Sequence, residues 1–261
     1  MFAKLLKHEM KATAASIGLL SLAALGIGIV GGFMMRYVVG AAGDYRYDRL
    51  SGILSLFYIF IIFGLFAYAF GSEIFLAVQF YKRKFTDQGY LTFTLPAHSW
   101  QIFLSSMVNI MIWTLVIMVV TGLAVCAMIA IGIVGTTVAD QFSDFYFPLE
   151  EMREILGEFH ILGLVYTIMQ FISSVVIMMT CITLGSVLAK KHKLMASIGV
   201  YYVFSLLMGM ITTQLLGSAL FMASEVDLTR VYVIEVVIQL AVSMGGFLLS
   251  CWLMDRKLNL P

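Results

Sequence analysis

Charge is scarce in this 261-residue sequence. Asp, Glu, Lys and Arg make up 12% of it, where soluble domains carry about a quarter. Hydrophobic residues make up 61% and the mean hydropathy is +0.99, which excludes a soluble globular class and indicates an integral membrane protein. Cysteine is also rare. Cys126, Cys181 and Cys251 lie far apart inside apolar runs, with no CxxC spacing for metal or redox chemistry, and read as structural thiols buried in the membrane. No G-x-x-x-x-G-K-[ST] loop occurs, so the chain has no phosphate cradle of that kind and any ATP use falls to another polypeptide. His8, His98, His160 and His192 do not pair at ligand spacing, and His8-Glu9 lacks the second zinc-protease histidine because Ala12 stands there; no metal is expected. The 16 basic residues form no large patch with interleaved aromatics, which argues against nucleic acid.

What the chain has in quantity is long apolar runs. Runs of about 20 residues or more predict helical spans rather than the alternating strands of a barrel. Six follow from the pattern: Ser16 to Met35, Ile53 to Phe80, Gln101 to Val134, Ile161 to Ala189, Leu194 to Met222 and Val231 to Met254. Ahead of the first, residues 1–13 place Phe2, Leu5, Leu6 and Met10 opposite Lys4, Lys7 and Lys11, the pattern of an interfacial helix with its lysines toward anionic lipid, and with Glu9 on the apolar side as an interfacial residue. The Ala14 to Met35 run is longer than a signal-peptide core and has no convincing cleavage site, so it is expected to remain as a span. The expected fold class is all-α, a single transmembrane domain over 1–261.

Six spans put both termini on one side. Eleven of the 16 basic residues then share that side, Lys82, Arg83, Lys84, Lys190, Lys191 and Lys193 among them; Arg36, Arg46, Arg49, Arg153 and Arg230 fall on the other. The positive-inside rule makes the first side cytoplasmic. The 136–159 segment is then extracytoplasmic, with a short surface helix predicted from Pro148 onward.

Buried ionisable groups are the default functional candidates within a bilayer. Glu73 and Glu235 are the two acids inside the spans, each near a boundary and each read first as structural or interfacial. Asn109, Gln170 and Gln214 are candidates for a polar substrate path, with Ser173, Ser174 and Gln239 as further polar residues able either to line it or to join helices. Gly28-x-x-x-Gly32 allows close helix contact.

One stretch stands apart. Residues 82–100 open with Lys82-Arg83-Lys84, read as charge at the membrane edge, and continue Phe-Thr-Asp-Gln-Gly-Tyr-Leu-Thr-Phe-Thr-Leu-Pro96, too aromatic for a plain loop. Thr86 or Asp87 can cap a short helix, and Tyr90, Leu91, Phe93 and Leu95 are apolar anchors of the kind that forms an interface core. Together with the opening Met-Phe-Ala-Lys-Leu-Leu-Lys-His-Glu-Met-Lys and the closing Lys257-Leu-Asn-Leu, this stretch resembles the first cytoplasmic loop of small six-span permeases of type-2 ATP-binding-cassette (ABC) exporters, common in Gram-positive bacteria. Asp87, Gly89 and Tyr90 match that pattern, and Gln88 stands where members usually carry an acid.

The resemblance implies a non-enzymatic permease subunit in a bacterial cytoplasmic membrane, with both termini cytoplasmic. It implies a second permease, identical or a sister chain, and separate ABC ATPase subunits that hold the ATP and Mg²⁺. The 85–96 loop, through Asp87, Gln88, Gly89, Tyr90, Leu91, Phe93 and Leu95, would be the coupling helix that meets the ATPase. The rival readings are a secondary transporter, which calls for inverted repeats and broken helices, and a non-transporting membrane anchor or sensor subunit.

Overall fold

The computed structural model describes residues 2–40, 48–86, 89, 98–134, 160–189, 191–222 and 228–256. They form six long helices: α1 (Phe2–Gly40), α2 (Asp48–Phe85), α3 (Ser99–Ile133), α4 (His160–Leu188), α5 (Lys193–Met222) and α6 (Leu228–Arg256). No strand occurs among the described residues. All six helices are long and apolar enough to cross a bilayer, so the chain is a multi-pass membrane protein of the expected helical class.

The helices outrun the spans expected from hydropathy. At about 1.5 Å per residue, the 39 residues of α1 extend about 58 Å, nearly twice the hydrocarbon thickness of about 30 Å. Helix α1 runs through residues 13–16 without a break, so the amphipathic segment, described from Phe2 onward, is continuous with the span that follows. Its buried side chains repeat every three or four residues, at Glu9, Thr13, Ile17, Ser21 and Ala24, the spacing of one helical face. Glu9, expected at the interface, is 7% exposed because it heads this face. The basic triplet in the last turn of α2 is divided in its packing. Lys82 is exposed, whereas Lys84 continues the buried stripe Ser72, Leu76, Phe80 and is itself 2% exposed.

The chain forms two compact units, and α1, α2 and α3 each contribute to both. One comprises His8–Leu76 and Ile112–Leu149. Here the glycines of α1 let α3 come close. A Cβ on Gly28 would lie 2.6 Å from the Ala124 carbonyl oxygen, and one on Gly32 would lie 2.7 Å from Ile131 Cβ. In a bilayer, where apolar association gains little over lipid contact, such close approach is a main source of packing energy. Polar clasps add to it: the Ser21 and Tyr68 hydroxyls hydrogen-bond at 2.9 Å, and Thr114 Oγ1 donates to Glu73 Oε2 at 3.3 Å.

The other unit comprises Met1–Lys7, Ala77–Met111 and Glu150–Pro261. Helix α4 is its centre. Helices α4 and α6 run parallel, joined just before their midpoints by a hydrogen bond from Gln239 Nε2 to Gln170 Oε1 and further along by Ser250 Oγ donating to Thr180 Oγ1 at 3.1 Å. Helix α5 returns antiparallel after a short link. It presses on α4 at the start, where a Cβ on Gly185 would lie 2.3 Å from Ser197 Cα and Ser197 Oγ donates to the Ile182 carbonyl at 3.2 Å.

Candidate functional site

Two features bear on function, both in the unit containing α4. The first is the base of α2 and α3, on which the 86–98 stretch stands. Phe103 is fully buried and meets Phe80 edge-on at 6.3 Å and Phe247 at 5.4 Å between ring centroids. Phe80 in turn meets Phe85 edge-on at 5.8 Å, and Tyr81 stacks with Phe85 at 6.2 Å. Edge-to-face geometry at these separations is the favoured arrangement of aromatic quadrupoles. Both ends of the stretch are pinned. On the α2 side the Thr86 hydroxyl donates to the Lys82 carbonyl, and the Gly89 amide closes a turn on the Thr86 carbonyl at 2.7 Å. On the α3 side the His98 carbonyl accepts from the Gln101 amide at 2.9 Å, and the Ser99 hydroxyl donates to Asp255 near the end of α6. Of the residues expected to meet an ATPase, Gly89 is described and buried; Asp87, Gln88, Tyr90, Leu91, Phe93 and Leu95 lie outside the described residues, as do the 136–159 segment and its expected surface helix.

The second feature is a cavity of about 260 Å³ walled by α4, α5 and α6. Helix α4 supplies Gln170, Ser173, Ser174 and Ile177, and α6 supplies Glu235, Ile238, Gln239 and Val242, the same i, i+3, i+4, i+7 spacing in both. From α5 come Tyr201, Phe204, Ser205, Met208, Gly209 and Thr212. Since α4 and α6 run together and α5 opposes them, Gln170, Thr212 and Glu235 share one end, while Ile177, Tyr201, Phe204 and Val242 share the other. The carboxylate of Glu235 also lies beside the Tyr166 phenol, whose ring is 5.4 Å from that of Tyr232.

No family model, curated protein or solved structure matches the chain. The chemistry of the site is therefore read from its own residues.

Of the expected polar path, Gln170 lines this cavity. Asn109 on α3 is 5% exposed with its Oδ1 unpartnered, and Gln214 is exposed; neither is in the cavity wall. Glu235, expected to be structural or interfacial, is in that wall, while Glu73 accepts from Thr114. Ser205 and Thr212 were not expected. The signal for them was present in the sequence: hydroxyls and glycine recur at helical spacing along an otherwise apolar α5, a pattern legible only once its partner faces on α4 and α6 are known. Among the described residues no three His, Cys, Asp or Glu side chains converge on a metal-sized site.

Proposed function

We propose that the chain is the membrane-spanning permease subunit of an ATP-driven ABC exporter, paired with a second permease and coupled through residues 85–96 to separate ATPase subunits that bind ATP and Mg²⁺. The observation that carries this reading is the pinned base of α2 and α3. A short, aromatic-rich stretch set at both ends on a packed cluster of rings can pass a push from a partner into two helices and, through Phe103–Phe247 and Ser99–Asp255, into α6. Closure of two ATPases would push on α2 and α3 through the stretch, and two discrete helix packings would open the path in turn. The resemblance of the 85–96 segment, the six spans and the lack of a phosphate loop agree with this division of labour.

The test is co-purification. The intact chain, isolated from its own cells, is expected to bring an ATPase with it and to retain ATP turnover; a Phe93→Asp, Leu95→Asp variant of equal yield and equal gel-filtration profile is expected to lose both. Unchanged association and turnover in the variant would overturn the coupling assignment. A second reading, a secondary transporter, is favoured by one observation, the intramembrane acid Glu235 in the wall of a polar cavity. It predicts uptake or efflux by the purified chain alone in proteoliposomes, driven by an ion gradient without ATP.

A further inference from the structure

The α4–α5–α6 cavity has a consistent hydrogen-bonding character. The Gln239 side chain is 7% exposed, and its amide nitrogen is engaged by Gln170, yet its Oε1 has no partner. A buried carbonyl oxygen left without a donor is costly, more so than a typical satisfied hydrogen bond is favourable. Glu235, one turn away on the same wall, is a second acceptor. Ser174 donates its hydroxyl proton to the Phe171 carbonyl at 2.8 Å, and Thr212 donates to the Met208 carbonyl at 3.0 Å, so each presents lone pairs rather than a proton. No Lys, Arg or His lines the cavity. It thus holds one unpartnered buried acceptor and one carboxylate, and lies in a medium where an uncompensated charge is costly. The far end is built of Ile177, Phe204 and Val242 with the Tyr201 ring.

We propose that this cavity binds a protonated primary amine carried on an apolar tail, with the ammonium between Glu235 and Gln239 Oε1 and the tail toward Ile177 and Val242. An ammonium has three donors and no acceptor, which matches the unpartnered Gln239 Oε1 and the Glu235 carboxylate on one wall. Its positive charge compensates Glu235 where the low dielectric strengthens the attraction. An anionic headgroup would meet that carboxylate with no Lys, Arg or His in the wall to offset it. The site concerns binding and does not rest on ATP-driven export; it is testable in the chain alone.

The experiment uses the full chain in phosphatidylcholine nanodiscs, with radiolabelled dodecylamine as the probe and empty discs subtracted for membrane partition. Dodecylamine is expected to bind saturably. Trimethyldodecylammonium, which keeps the charge but has no N–H, is expected to compete at least tenfold less well, and dodecanol and dodecanoate not measurably. Glu235→Gln and Gln239→Leu are each expected to weaken binding at least tenfold. Gly209→Leu is the independent variant, since Gly209 lines the cavity and a Cβ there meets no atom within 4 Å; it is expected to abolish binding with the thermal melt unchanged. Discs of phosphatidylethanolamine identify the source of the amine: competition by that lipid makes a headgroup the resident ligand, and its absence assigns a non-lipid amine. Binding that is unchanged in both Glu235→Gln and Gly209→Leu, or dodecanoate competing as well as dodecylamine, overturns the proposal.

Discussion

Gly185 is the residue on which the α4–α5 contact turns, because the atoms a side chain would meet are backbone. A Cβ would come within 2.3 Å of Ser197 Cα and 2.4 Å of its nitrogen, and neither can rotate away. Overpacking usually costs about 1 to 3 kcal/mol, and here no flexible neighbour can give. Gly185→Val is therefore expected to lower the melting temperature of the detergent-solubilised protein markedly and to reduce membrane yield. Gly26→Ala is the control: its Cβ meets nothing within 4 Å, so no loss is expected. Of the glycine contacts, the sequence exposed Gly28-x-x-x-Gly32, because that motif is local. It could not expose Gly185, whose need for a bare α-carbon comes from a residue on the next helix. The acids follow the same logic. Hydropathy located Glu73 and Glu235 within spans, but only packing separates the one held by Thr114 from the one facing a cavity.

At the scale of the element, the length of a helix and the length of its apolar run diverge. The count of six was legible because each run exceeds what a buried soluble helix needs. The ends were not, since helix α1 continues through its lysine-bearing first turns and α2 through Lys82–Lys84, where hydropathy falls but helix propensity does not. Lysines in the last turn of α2 also favour the C-terminal dipole, which supports the extension. The extended ends carry the aromatic base, and its energetics are testable. Phe103 is fully buried with two ring partners, whereas Phe70 is 66% exposed with one stacked ring, Phe66. Burying a ring away from lipid gains little by transfer, so the difference is packing. Phe103→Ala should lose about 3 to 5 kcal/mol if the base resists collapse, against a much smaller loss for Phe70→Ala, compared by thermal gel-filtration melts of both variants. A Ser99→Ala, Asp255→Asn double-mutant cycle should show coupling of about 0.5 to 1 kcal/mol, since the pair joins the start of α3 to the end of α6 across 156 residues of sequence.

For the whole molecule, six helices long and apolar enough to cross a bilayer predict alternating sides for the connections, and the charge distribution predicts the absolute orientation. On that expectation the links after α2 and α4 and the segment after α6 share a side with the N-terminus. That side holds Lys4, Lys7, Lys11, Lys82, Lys191 and Arg256 among its 11 basic residues, against five opposite. Over short connections such a bias sets topology, because translocating lysine and arginine is disfavoured while acidic residues weigh little. Single cysteines in a background with Cys126, Cys181 and Cys251 replaced by alanine give a direct reading. Cysteine at Lys191 is expected to resist a membrane-impermeant maleimide in intact cells and to react in inverted vesicles, and cysteine at Arg153 the reverse. With the reporter cysteine at position 191, changing Lys190 and Lys193 to Gln brings the charges removed to three of the eleven and leaves eight against five, so the orientation should hold. Removing Lys82, Arg83 and Lys84 as well leaves five against five, and mixed labelling of that cysteine should then emerge. Labelling of the cysteine at position 191 in intact cells while the other ten basic residues are all in place would place the 86–98 stretch outside, where no ATPase works, and would end the exporter reading while leaving the amine site untouched.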